Sequence, residues 1–156
     1  MKLMAKTDLE APIGFVYEAL SDHQSWERDA ADRGIKVERP TDTPLSGPGA
    51  GWMLHLPYRG KLVKLYLRLV REKLQDHLLF EMQSNTVEGE VAMAVMALST
   101  RQTRLHMTIE VTPRTLAARL LLNTLKLAKG RVQGRLDQRL GHMGTVIQRR
   151  YADGRS

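Results

Sequence analysis

Apolar residues recur at every second position through most of residues 51–111, and at helical spacing after that. Near the N-terminus, Leu3, Ala5, Thr7 and Leu9 alternate with Lys2, Met4, Lys6 and Asp8, the pattern of a half-buried strand. Ala11-Pro12 ends it, and Ile13, Val16 and Leu20 then keep helical spacing behind a proline suited to a first turn. Ser21-Asp22 and the polar segment around Trp26 predict a second short helix, and residues 35–39 a short strand. Pro40 to Gly51 holds three prolines and three glycines, which predicts a mobile loop, a flap. Beyond it, Trp52, Leu54, Leu56 and Tyr58 share one face. So do Leu65, Leu67 and Leu69; Leu78, Phe80 and Met82; Val87, Val91, Met93 and Val95; and Leu105, Met107, Ile109 and Val111. Short connections favour an antiparallel meander with one covered face and one wet face.

From Thr112 to about Tyr151 the pattern is helical, with Thr112 as expected N-cap and Pro113 at the first position. Such a helix, ~57 Å if continuous, needs a large apolar surface to lie on. Only the strands supply one. The expected architecture is therefore α+β: a curved antiparallel sheet wrapped around a long C-terminal helix, with two short helices near the N-terminus. Placing residues about 100° apart divides the long helix in two. In its second half, Val132, Leu136, Leu140, Met143 and Ile147 form a stripe expected to cover the sheet, while Arg131, Arg135, Arg139 and His142 face water. Gly130, Gly134, Gly141 and Gly144 form a third stripe, read either as a close backbone approach or as tolerated drift. In the first half, Leu116, Leu120 and Leu127 lie on one side and Ala118, Leu122 and Leu125 on another. A helix apolar all round is expected to be covered all round, by the flap, a second copy or a membrane surface.

Length and composition narrow the function. The 156 residues fit a single domain spanning 1–156. Without cysteine there is no disulfide or thiolate chemistry, and no apolar run is long enough to span a bilayer, so a cytoplasmic protein is expected. Residues 1–110 carry 14 Lys/Arg against 15 Asp/Glu, whereas residues 111–156 carry 10 against 2. The basic character thus belongs to the C-terminal helix, either as a solvated face or as a footprint for phosphate. Few aromatics accompany it, so no nucleic acid is expected as a partner. The five histidines show no ligand spacing, and His55 and His106 fall on the wet face, so no metal is expected. Ser21-Asp22-His23 lists triad residue types in a geometry that adjacent residues cannot adopt. Gly47-Pro48-Gly49-Ala50-Gly51 lacks the Lys-Ser/Thr of a phosphate loop. No cofactor is implied.

Two stretches carry a resemblance. Thr7-Asp8-Leu9-Glu10-Ala11-Pro12 through Val16, with Leu20-Ser21-Asp22 and Trp26, is similar to the strand, Ala-Pro, helix, Leu-x-Asp and Trp opening of the START-like (SRPBCC) superfamily. Val111-Thr112-Pro113 and the leucine-rich, then arginine-rich helix resemble its ending. The chain most resembles the polyketide cyclase/dehydrase and lipid-transport branch. The resemblance implies the helix-grip fold. It marks function poorly, because carriers, cyclases, hydrolases and chaperone activators share that scaffold. It carries over no catalytic residue.

The leading expectation is a carrier of a small hydrophobic ligand such as a lipid, isoprenoid or polyketide, held between sheet and helix. Its expected wall is Trp26, Trp52, Leu54, Tyr58, Leu67, Phe80, Met82, Met93, Met107, Leu136, Leu140 and Met143. For each, plain core packing is the alternative. A second expectation is a cyclase or dehydratase, which needs polar groups converging inside the pocket. Tyr58 is the best inward candidate, with Thr7, Arg71 and Ser84 behind it. A third is an interaction module docking through the basic helix, by transient membrane contact or as a homodimer through Leu116–Leu127.

Overall fold

The computed structural model describes residues 1–58 and 60–154, except the side chain of Tyr58. Strand β1 (Lys2–Leu9) is followed by helices α1 (Ile13–Ser21) and α2 (His23–Asp32). Strands β2 (Lys36–Glu38), β3 (Gly51–Tyr58), β4 (Lys61–Lys73), β5 (His77–Gln83), β6 (Val87–Ser99) and β7 (Gln102–Pro113) come next, then α3 (Leu116–Leu127) and α4 (Lys129–Gly154). The strands form one antiparallel sheet in the order β1-β7-β6-β5-β4-β3-β2. The meander read from the alternation is thus present, closed by β1 returning beside β7.

Register places the predicted apolar sets on one inner face. Ala5 pairs with Met107, Met107 with Met93 and Met93 with Leu78. One row further along, Leu3, Ile109, Val91, Phe80 and Leu69 line up, and Leu67 sits between Met82 and Trp52. Val16, Tyr17 and Leu20 of α1 join this core, as do Leu140 and Ile147 of α4.

The C-terminal rod differs from expectation. Strand β7 runs through Pro113, so Thr112 is a strand residue, and Thr115 is the N-cap, its Oγ1 accepting from Ala118 N at 3.1 Å. The sheet claims Thr112 and Pro113 because Val87 pairs with Pro113 and Glu88 with Thr112. The rod then breaks at Ala128, whose N–H turns back to Leu125 and Lys126 carbonyls. Only one glycine of the predicted stripe meets a close neighbour. A Cβ at Gly144 would stand 2.5 Å from Leu9 Cδ2 and 3.1 Å from Thr7 Cγ2, so glycine lets α4 lie directly on β1. Gly130, Gly134 and Gly141 face open space. Met143 is a correction: it is 36% exposed, because the turn of α4 that meets β1 presents Leu140, Gly144 and Ile147 instead.

The flap is fastened. Arg39 Nη2 donates to the Pro44 and Leu45 carbonyls at 3.0 and 2.6 Å. Gly49 N donates to Leu69 O at 2.7 Å, and Leu69 N to Ala50 O at 2.8 Å, so the β3–β4 ladder continues into the loop.

Candidate functional site

The inner face has a closed end and an open end. At the closed end, α1 and α2 sit over the sheet, and Trp52 at their junction is 0% exposed. Its ring lies 4.8 Å from His23, 5.1 Å from Trp26 and 6.2 Å from Phe80, centroid to centroid. Trp52 Nε1 donates to Glu27 Oε1 at 2.7 Å, and Arg39 Nη1 reaches the same oxygen at 2.8 Å. The Arg39 guanidinium also lies 4.5 Å over the Trp52 ring. One carboxylate therefore takes both the indole N–H and one Nη of a guanidinium stacked on that indole, which offsets much of the cost of covering them, although Arg39 Nε is buried without a partner. Trp26 Nε1 donates to His23 Nδ1 at 3.2 Å, so the His23 ring is neutral, with its proton on Nε2. Burial, and then the Arg39 charge, hold His23 below the usual histidine range. Tyr17 donates to Glu72 Oε2 at 3.4 Å, and burial together with that carboxylate pushes its hydroxyl above the usual tyrosine range.

The open end lies beyond α1 and α2. There Leu54, Leu65, Leu67 and Met82 form two cross-strand rows, Leu54 opposite Leu65 and Leu67 opposite Met82, and all four are half-buried. Ile109 and Val111 continue the wall on β7, where Ala118 and Leu122 of α3 are buried. No two polar side chains meet on this wall among the described residues. Thr7 lies under Gly144. Ser84 Oγ is taken by the turn it caps, accepting from Val87 N at 3.1 Å. Arg71 pairs across from Leu79 on the outer face.

The expected wall thus divides. Trp52, Phe80, Met93 and Leu140 are buried in the protein's own core at the closed end. Trp26 is half-buried at its margin, and Met107 and Leu136 are half-buried against that core. Leu54 and Leu67 also pack against that core while lying, with Met82, on the partly exposed wall. Tyr58 lies outside the described side chains. The space expected beneath the whole Val132–Ile147 stripe is filled from Leu140 to Ile147, because Gly144 brings α4 down onto β1. Glu27 and Arg39 escaped the sequence reading, and His23 entered it only as a histidine without ligand spacing and in the dismissed Ser21-Asp22-His23 set. They come from α2 and the segment after β2, and no local spacing relates them.

The expectation that His55 faces water is corrected. His55 lies on the outer face, yet its side chain is mostly buried, 3.5 Å from Glu38. No group of three or more metal-ligating side chains occurs among the described residues. A hollow of about 650 Å³ opens on the outer face beside Tyr66, Arg68, Glu81, Glu88, Glu90 and Glu110, and Met82 also lines it. Its carboxylates make it a poor seat for an apolar molecule.

No family model and no curated protein matches the chain. Solved structures do. An aromatase/cyclase from Streptomyces sp. R1128 aligns over 96% of this chain and 94% of that one, with 16% identity and a TM-score of 0.67. A START superfamily protein from Mycobacterium smegmatis aligns over 88% and 97%, with 14% identity and a TM-score of 0.55. The fold is START-like. A norcoclaurine synthase variant from Thalictrum flavum, in complex with a transition-state analogue, has the same START-like layout, at 11% identity, coverage of 100% and 96%, and a TM-score of 0.68. In this chain that layout leaves the wall of Leu54, Leu65, Leu67 and Met82 half-covered, and no helix among the described residues is long and apolar enough to cross a membrane.

Proposed function

We propose that the protein binds a small hydrophobic molecule against the open end of the inner face. The observation that carries this reading is the wall itself: Leu54, Leu65, Leu67 and Met82 stay partly exposed on the face where Trp52, Leu69, Phe80 and Met93 are buried. Covering them removes apolar area from water at roughly 25 cal/mol per Å². Met82 and the leucines adapt in shape, which suits a class of ligand rather than one compound. The names of the structural neighbours, an aromatase/cyclase and a norcoclaurine synthase, keep a cyclase-type enzyme in view as a second reading. The described wall favours carriage, since converging polar groups are what such chemistry requires and register places Leu and Met there.

Uptake of a fluorescent fatty acid, delivered from ethanol, tests the reading. Wild-type protein takes up the probe, and Leu67→Trp or Met82→Trp, which fill the wall, weaken binding roughly tenfold. No uptake by the wild type, or equal uptake by both filled variants, rejects it.

A further inference from the structure

Two apolar surfaces exposed to water flank this open wall. The first is the outer side of α3. Leu116, Leu120 and Leu127 fall within about 40° of one another around the helix, and they are 71%, 60% and 90% exposed. Ala118 and Leu122, on the opposite side, are buried. The second is the β3–β4 hairpin. The last β4–β5 pair is Tyr66 with Gln83, yet β3 and β4 stay paired out to Tyr58 and Lys61. The hairpin therefore runs roughly 17 Å past β5 and roughly 10 Å past its last pair with β2, Lys36 with His55. Leu62, 67% exposed, and Val63 lie on this overhang. It extends from the same end of the sheet at which β7 hands over to α3, since Gln83, Val87 and Pro113 all end or begin strands there.

Charge follows the same outline. No carboxylate occurs between Asp42 and Glu72, the span holding the hairpin, or between Glu110 and Asp137, the span holding α3. Lys61, Lys64, Arg119 and Lys126 are exposed, and none makes an ion pair among the described residues. The glutamates of this end, Glu81, Glu88, Glu90 and Glu110, project from the outer face of β5, β6 and β7, whereas Leu62 and Lys64, on that same face, lie beyond the last β4–β5 pair.

We infer that the α3 leucine face and the β3–β4 hairpin tip form one docking rim for a bilayer surface bearing anionic headgroups. Leucines entering the interface and lysines or arginines level with phosphate is the arrangement such a surface binds. A two-fold contact with a second copy would set Arg119 and Lys126 against their own kind with no acid in either segment. The rim frames the wall of Leu54, Leu65, Leu67 and Met82, so a docked protein would exchange its ligand with the lipid phase. That purpose rests on the ligand-binding reading, whereas the docking itself does not.

Flotation with phosphatidylcholine vesicles, with and without phosphatidylglycerol, is the test. The wild type floats with the anionic vesicles, and high salt weakens this. Arg119→Glu with Lys126→Glu reduces partitioning roughly tenfold or more. Leu120→Glu with Leu127→Glu, and separately Leu62→Glu with Val63→Glu, do the same. All six positions are exposed, so the variants melt with the wild type. Failure of the wild type to float, or undiminished flotation of either leucine or hairpin variant, overturns the inference. So does a wild-type dimer in sedimentation that Leu120→Glu with Leu127→Glu dissociates, since the face would then belong to a second copy. Fatty-acid uptake without vesicles separates the two readings: if it persists while flotation fails, only the docking is lost.

Discussion

Trp52 and Leu67 are cross-strand neighbours on one face of one sheet, yet they belong to different environments. Trp52 is enclosed by His23 and Trp26 of α2, Phe80 and the Arg39 guanidinium, with its N–H on Glu27. Leu67 is partly exposed, with Met82 beside it, although it also packs against the core. The sheet supplies the same alternation to both, so enclosure comes from what is laid over it. The closed end has two short helices and a buried ionic clasp. The open end has α3, which turns only one of its two apolar sides inward. One end serves as the structural anchor, and the other remains available.

That division can be broken most sharply by truncating both neighbours. Trp52→Ala is expected to cost about 3–5 kcal/mol in urea denaturation, from the cavity and from taking away one of the two donors to the Glu27 carboxylate. Leu67→Ala is expected to cost less, about 1–2 kcal/mol, because part of its side chain is already in water. Equal losses would erase the distinction between the two ends. The glycines of α4 give a smaller contrast. Gly144→Val drives a side chain into Leu9 and Thr7 at the closed end and is expected to cost about 1–3 kcal/mol. Gly134→Ala meets open space and is expected to raise stability by about 0.5–1 kcal/mol. A stabilising Gly144→Val would mean that α4 does not rest on β1.

The smallest effect is one of pH. Since burial and Arg39 lower the folded-state affinity of His23 for a proton, the unfolded chain takes up that proton first. Stability from this source is complete above the unfolded value near ~6.5 and declines as pH falls from there toward the lower folded value. The urea midpoint of the wild type should fall across that window, and His23→Gln should remove this component. A wild-type midpoint that is flat through the window would contradict a neutral, enclosed His23.

Much of this was legible in the chain. Leu65-x-Leu67-x-Leu69 and Leu105-x-Met107-x-Ile109 read as strands with one apolar face, and that is how they pair. The change of pattern at Ala128 was visible as a shift in stripes, and the helix breaks there. The start of α3 was misplaced because Thr112-Pro113 has the chemistry of a cap, while Thr115 has it too, and only pairing with β6 chooses between them. The loop before Gly51 looked loose by composition, but Arg39 and Leu69 hold it from outside its own sequence.

The local repeats of two and of about 3.6 residues determined which side chains share a face and where the basic charge gathers, because both follow from bonding geometry within a short stretch. The tertiary structure alone decided which rows of the inner face were closed, that Met143 turns outward while Gly144 turns in, and that Glu27 and Arg39 meet over Trp52. Burial depends on what packs above a surface, and what packs above this one arrives from segments far apart along the chain.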